Sequence, residues 1–288
     1  MRGRRTRYSV FTHETYRESE SIMATDSWVV DGPQVIEVDD VARLRVGLVG
    51  GRADVVVHDE PVVRVEVHSV RGRPLEVAYH EGELRLGYQF TLGGWDQFLD
   101  NLTHFRGNDK VDVTIAVPAH TAVRLGTVSG EGLLAGVQED SSVSTVSGSV
   151  VVDGTRGSLS AKTVSGDVAV RGHSGPLGLN SVSGELAASG ELTVVSAKSV
   201  SGRVTLDVSS GTSSVTATSV SGDVTLRLPV GKGVRVTGQS VSGRVVVDDQ
   251  EYGGRPGTRN VDIASGDGTC HVQVSTVSGN LTVLRQGA

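Results

Sequence analysis

The sequence predicts an all-β protein: a parallel β-solenoid with about 18 residues per coil, preceded by an irregular β-rich N-terminal capping region. Three observations predict it. The tetrapeptide Thr/Ser-Val-Ser-Gly recurs with its valine at Val128, Val146, Val164, Val182, Val200, Val220, Val241 and Val277; the first five copies are 18 residues apart, and the later steps are 20, 21 and 36, the last being twice 18. A finer period lies inside this one, because Gly148, Gly157, Gly166, Gly175 and Gly184 recur every nine residues. Composition agrees: glycine supplies 38 of 288 residues and aromatics only 4%, so the chain favours many tight turns and an aliphatic core.

In chain order, residues 1–27 read as a disordered N-terminal extension. Met1-Arg2-Gly3-Arg4-Arg5 resembles the basic start of a signal peptide, but Tyr8 to Ser21 is mostly polar and supplies no apolar h-region. Strand-like sequence begins at Trp28, which makes Met23 a candidate start. No run approaches the ~20 apolar residues of a membrane span. A cytoplasmic protein without a transmembrane segment is expected.

Residues 28–126 carry strand-like runs without the 18-residue period, at Gln34–Val38, Ala42–Val49, Ala53–His58, Val62–Ser69, Leu75–His80, Glu83–Tyr88 and Val111–Val117. They read as antiparallel or mixed β-structure that covers the first coil, because an open solenoid end is an exposed sheet edge. Residues 91–108 break the pattern. Trp95, Phe98, Leu99, Leu102 and Phe105 follow helical spacing, so a short helix or ordered loop is expected.

Residues 127–288 form the repeat. Each glycine of the nine-residue period opens an alternating segment, as in Gly148-Ser149-Val150-Val151-Val152 and Gly166-Asp167-Val168-Ala169-Val170. Alternation is the strand period, so one coil holds two strands and two turns. The expected core is Val150, Val152, Leu159 and Ala161; Val168, Val170, Leu177 and Leu179; Val204, Leu206 and Val215; then Val224, Leu226, Val234 and Val236. One coil buries too little apolar surface to offset its backbone entropy, so neighbouring coils must stabilise each other. A loop inserted at 250–260 in the seventh coil accounts for the doubled step. Parity places Thr163 with Leu159 and Ala161 and turns Val164 the other way unless the chain bends there.

Val111-Asp112-Val113-Thr114-Ile115-Ala116-Val117-Pro118 leads through Ala119–Leu125 into Thr127-Val128-Ser129-Gly130, and Gly50-Gly51-Arg52-Ala53-Asp54-Val55-Val56-Val57 forms an earlier strand. A strand ending in Val-Pro followed by Thr/Ser-Val-Ser-Gly coils resembles the bacterial, actinobacterial-type "putative adhesin" family of β-strand-repeat domains, from about Val35 to Leu284. The resemblance implies a repeat architecture. It implies no catalytic residues and no assigned function.

The chemistry-bearing residues point away from catalysis. A calcium β-roll needs aspartates repeated through its turns. Here the residue after Val-Ser-Gly is Asp167 or Asp223 in two copies, but Glu131, Ser149, Glu185, Arg203, Arg244 or Asn280 in the others, and arginine is incompatible with a calcium ladder. The acidic pairs Asp39-Asp40, Asp59-Glu60, Glu139-Asp140 and Asp248-Asp249 fall at apparent turns. The eight histidines show no metal-binding spacing, and neither a nucleophile elbow nor a phosphate loop is present. Cys270, the single cysteine, sits in an apolar run and reads as a buried residue. The basic residues are almost all arginine; lysine occurs only at Lys110, Lys162, Lys198 and Lys232.

The chain is therefore expected to be a non-enzymatic β-solenoid scaffold or interaction module, with no catalytic residues, no cofactor and no metal. A net charge of −6 argues against a nucleic-acid partner. A protein partner or self-association is expected, and a glycan is possible. Trp95, Phe98 and Phe105 are candidate interaction residues. The repeat turn residues are Ser129 and Gly130, Ser147 and Gly148, Ser165 and Gly166, Ser183 and Gly184, Ser201 and Gly202, Ser221 and Gly222, Ser242 and Gly243, and Ser278 and Gly279. If the hydroxyl ladder is exposed, it is a regular array that could bind glycan. If buried at a corner, it is a structural stack, and the structural reading is preferred. Two alternatives stand beside this: a carbohydrate-binding or carbohydrate-active β-helix, and a self-assembling structural protein whose Leu284–Ala288 end follows a coil strand with no cap.

Overall fold

Alternation of valine or leucine with polar residues sets the strands, and the glycine-centred turns between them are too short for anything but a direct return. The structure, a computed structural model, describes residues 26–88, 108–209, 211–230, 233–248, 250–252, 259–265 and 269–286. These form 24 strands and no helix. The protein is all-β and solenoid-like.

Two stacks of strands face each other. The first runs β1 (Asp26–Val30), β6 (Leu75–His80), β7 (Glu83–Gly87), β3 (Arg43–Leu48), β9 (Ala122–Thr127), β11 (Ser141–Thr145) and β13 (Leu159–Thr163). It continues through the second halves of β14 (Val168–Ser181) and β15 (Leu186–Ser199) to β17 (Ser214–Ser219), β23 (Cys270–Thr276), β19 (Val234–Ser240) and β22 (Arg259–Ser265). The second runs β2 (Gln34–Val38), β5 (Val63–Arg71), β8 (Lys110–Pro118), β4 (Gly50–His58), β10 (Glu131–Ala135) and β12 (Val150–Asp153). It passes through the first halves of β14 and β15 to β16 (Val204–Val208), β18 (Val224–Pro229), β24 (Leu281–Gln286), β20 (Val245–Val247) and β21 (Gln250–Glu251). From β7 and β8 onward the pairing is parallel up to the last strands, so Ser141 lies beside Leu159, Leu159 beside Leu177, and Leu177 beside Val195.

Inward residues of both stacks build one aliphatic core, and every residue of the expected core set is buried in it. The core continues into the N-terminal region through Leu44, Val46, Val55, Leu86, Val113 and Ile115. Strands β3–β4 and β7–β8 stack as earlier turns of the same arrangement, and antiparallel β1–β6 and β2–β5 pairs cover that end. β1 begins at Asp26, inside the segment expected to be unstructured.

Two expectations need correction at the C-terminal end. The residues of the 250–260 insertion that are described are not simply a loop. Gln250–Glu251 is strand β21, hairpinned on β20, and Arg259 begins β22, which lies antiparallel on β19. The coil of Val277 is also out of sequence order. Strand β23 lies between β17 and β19, and β24 lies between β18 and β20. The final coil strands are thus clamped on both sides, so β24 does not leave the uncapped coil edge expected for self-assembly. The physical reason is edge protection. β21 and β22 make antiparallel covers, so the chain's last coil can be interior.

Candidate functional site

The repeat tetrapeptide forms one corner of each coil. Its first residue points inward: Thr127, Thr145, Thr163, Ser181, Ser199, Ser219, Ser240 and Thr276 are all buried. The Thr145 hydroxyl donates to the Gly148 carbonyl at 2.9 Å and accepts from the Gly148 N–H at 3.0 Å, closing the turn on itself. Thr163, Ser181, Ser199 and Thr276 make the same donation to Gly166, Gly184, Gly202 and Gly279 at 2.6–2.8 Å. The valine points outward, and Val182, Val200, Val220, Val241 and Val277 are 47–49% exposed. The second serine joins coils: Ser165 donates to the Val146 carbonyl at 3.0 Å, and Ser147, Ser183 and Ser201 do likewise one coil apart. The glycine is obligatory because corners stack in contact. A Cβ on Gly166 would collide with the Gly148 carbonyl oxygen, and one on Gly184 with that of Gly166. Both rows of hydroxyls are thus turned to the backbone, Ser219 alone among the buried row being without a hydrogen-bond partner, and what the corner shows to solvent is a rib of valines.

The outward face of the first stack is different. Its residues lie in rows that cross the strands. One row reads Arg85, Arg45, Arg124, Ser142, Ser160, Gly178, Ser196 and Thr216; the next reads Gly87, Gly47, Gly126, Ser144, Lys162, Asn180, Lys198 and Thr218. No carboxylate stands in either row. Small residues between the arginines and the lysines leave a groove of about 600 Å³, lined by Arg43, Arg45, Arg124, Lys162, Glu83 and Asp140 around a floor of Gly126, Ser142, Ser144 and Ser160. Like charges abreast on neighbouring strands destabilise a sheet. Burial lowers the Arg45 pKa from its ordinary value, Glu83 opposes this, and Arg124 and Arg85 add to it. Glu83 is engaged by Arg85 at 2.6 Å and Arg43 at 3.4 Å. Burial pushes its carboxyl up, but the bonds from Arg85 and Arg43 and the Arg45 charge hold it net below the usual range, hence ionised. Asp140 accepts the Ser158 N–H at 2.9 Å. Among the described residues Arg124, Lys162 and Lys198 have no ion-pair partner.

Two other polar clusters are structural. Arg73 grips the buried Asp109 through its backbone N–H and guanidinium, with the shortest contact at 2.6 Å, and lies over the Tyr88 ring at 5.1 Å. Burial, reinforced by Asp109 and opposed by Arg73, pushes the Tyr88 hydroxyl up to about 12. At the opposite corner His173 is fully buried, with Nδ1 2.9 Å from the Thr155 hydroxyl and Nε2 3.3 Å from the Pro176 carbonyl. Burial lowers its pKa despite both hydrogen bonds. Among the described residues no group of three or more His, Cys, Asp or Glu side chains is placed to hold a metal ion. No helix of the described residues is long and apolar enough to cross a membrane.

Trp95, Phe98 and Phe105, and the segment 91–107, lie outside the described residues. The repeat turn serines and glycines come together as one continuous corner, in a structural role. The groove cations did not figure among the candidate residues. A signal for them existed: two of the four lysines, Lys162 and Lys198, occupy the same slot before Thr/Ser-Val. Arg124 carried none, since nothing in its neighbours shows that it stands beside Arg45.

A model of the family described as Toastrack DUF4097 matches residues 54–284. No curated protein matches the sequence. Among solved structures the chain is similar to a "putative adhesin" from Bacteroides fragilis, with 14% identity, coverage of 93% of this chain and 98% of that one, and a TM-score of 0.50. That likeness concerns the fold alone. Similarity extends to a "putative cell adhesion protein" from Clostridium sporogenes, at 12% identity, 88% and 100% coverage and a TM-score of 0.25. It also extends to a "putative lipid binding protein" from Parabacteroides distasonis, at 11% identity, 89% and 95% coverage and a TM-score of 0.46. The last two are too distant in shape to add to the argument.

Proposed function

The chain belongs to the Toastrack DUF4097 family, and we propose that it is a non-enzymatic interaction module that engages its partner through the outward face of its first stack of strands. In this reading the architecture is a parallel β-solenoid with coils of about 18 residues. The side-chain bonds one period apart, such as Thr155 to His173 and Asp140 to Ser158, support that coil length.

The observation that carries the functional reading is the groove beside Arg124. A chain with net charge −6 concentrates cations there, two of them without ion-pair partners among the described residues, in a concave site with hydrogen-bonding walls. Such an arrangement costs stability as a bare surface and is offset by an anionic ligand. The carboxylates present favour binding over catalysis. Glu83 is held ionised by arginines and is not poised as a proton donor, and Asp140 accepts the Ser158 N–H in a turn.

The test compares the immobilised full chain with its Arg124→Glu/Lys162→Glu variant, both exposed to extract of the source organism. Material retained by the first, absent from the second and released by salt is the expected result. Identical retention by both would remove the groove as the binding site.

A further inference from the structure

Resting on the reading that this face is the binding surface, we propose that its ligand is a linear acidic polysaccharide in which a carboxylate-bearing sugar alternates with a neutral one. The spacing of charge on this face matches such a polymer. In the order β9, β11, β13, β14, β15, the outward cations are Arg124 on β9, Lys162 on β13 and Lys198 on β15, each two strands from the next. Neighbouring strands lie about 4.8 Å apart, so the cations recur roughly every 10 Å along the stack, with Arg124 one row to the side of the two lysines. That is about the length of an extended disaccharide. The strands between them present Ser142, Ser144 and Asn180, which can both donate to and accept from sugar hydroxyls. Arg45 and Arg85 extend the positive row beyond β9, where Glu83 neutralises part of it.

Other anions fit less well. A peptide docks by adding a strand to an open sheet edge, yet β9, β11 and β13 each have neighbours on both sides and offer side chains only. Single-stranded nucleic acid needs aromatic platforms, and among the described residues no aromatic side chain lines the groove. A single phosphate needs converging donors, whereas these cations are spread along the stack over two adjacent rows. Lysine and arginine separated by hydroxyls match a polymer of separated carboxylates.

The probes are hyaluronan oligosaccharides (alternating uronate and neutral sugar), polygalacturonate (a carboxylate on every sugar), dextran and polyglutamate, titrated calorimetrically into the full chain at low and high salt. Hyaluronan oligosaccharides are expected to bind best, polygalacturonate more weakly and dextran not at all. Replacing both exposed lysines, Lys162→Gln with Lys198→Gln, is expected to lower affinity about tenfold or more without lowering the unfolding midpoint. Lys110→Gln, on the other stack, is the control and should leave binding intact. Equal binding of polyglutamate, or binding insensitive to the lysine pair, overturns the polysaccharide assignment. So does failure of all four polymers. In each of those cases the extract experiment still judges the face independently. A polymer of this kind is met at the cell surface, which departs from the cytoplasmic location expected from the sequence; fractionation that found the protein strictly in the cytoplasm would also overturn the ligand.

Discussion

At the scale of single residues, the corner tetrapeptide divides its work between inward, outward and inter-coil positions, and each part has a measurable cost. Removing the Thr145 hydroxyl with Thr145→Val leaves the Gly148 carbonyl and N–H without the groups that close the turn. A loss of about 1–3 kcal/mol is expected, read as a lower urea midpoint. Ser165→Ala removes a bond at the exposed edge of the corner and should cost less than about 1 kcal/mol. Gly166→Ala must push stacked backbones apart, and a loss of about 3 kcal/mol is expected. If Gly166→Ala proved as mild as Ser165→Ala, the stacked-corner geometry would be wrong. His173 adds a pH-dependent term. It is buried with a lowered pKa, so between that value and the unfolded value of about 6.5 the unfolded chain binds a proton that the folded chain does not. Its contribution is fully present above about pH 6.5 and falls as pH drops through the depressed folded-state value. Denaturation across pH 7.5 to 5 should show a slope that His173→Asn flattens; an unchanged slope would place the titration elsewhere.

At the scale of elements, the out-of-order coil decides how the C-terminal end is held. β23 and β24 each bond to a coil on both sides, so they cannot leave without exposing four strand edges. Cys270 opens β23 and is fully buried, which makes it a reporter. Its thiol should resist a soluble disulfide reagent in the folded protein and become reactive only with the unfolding of the neighbouring coils. Rapid labelling under native conditions would show that β23 opens alone. Little of this was legible beforehand. The 36-residue step announces extra residues, but strand order is a matter of which edge each segment pairs with, and Val224 gives no sequence sign that its partner is Leu281 rather than Val245. The strand runs themselves were legible, because alternation and glycine spacing are local signals.

At the scale of the whole molecule, charge and edges set behaviour toward other molecules. The net charge of −6 would give a repulsive average field for anions, so attraction must come from the local cations of the first stack and should fade as salt screens them. The ends are closed differently from the middle. Antiparallel β1 and β2 cover one end, and the short β21 with β22 covers the other. Short edge strands template further pairing poorly. Light scattering over a concentration series should therefore show no end-to-end growth; filament formation would show that these covers yield.

The sequence by itself determined the all-β repeat, its inward valines and leucines, and the place of every Thr/Ser-Val-Ser-Gly corner, because each depends on periods short enough to read along the chain. It left open which way the corner hydroxyls faced. Only the tertiary structure decided that, by stacking Gly166 on Gly148 so closely that the threonine must turn inward and the valine outward. The tertiary structure also decided that Arg85, Arg45 and Arg124 stand abreast and that Lys162 and Lys198 continue beside them. Cross-strand neighbours are set by register between distant segments, and register is a property of the packed stack rather than of any local run of residues.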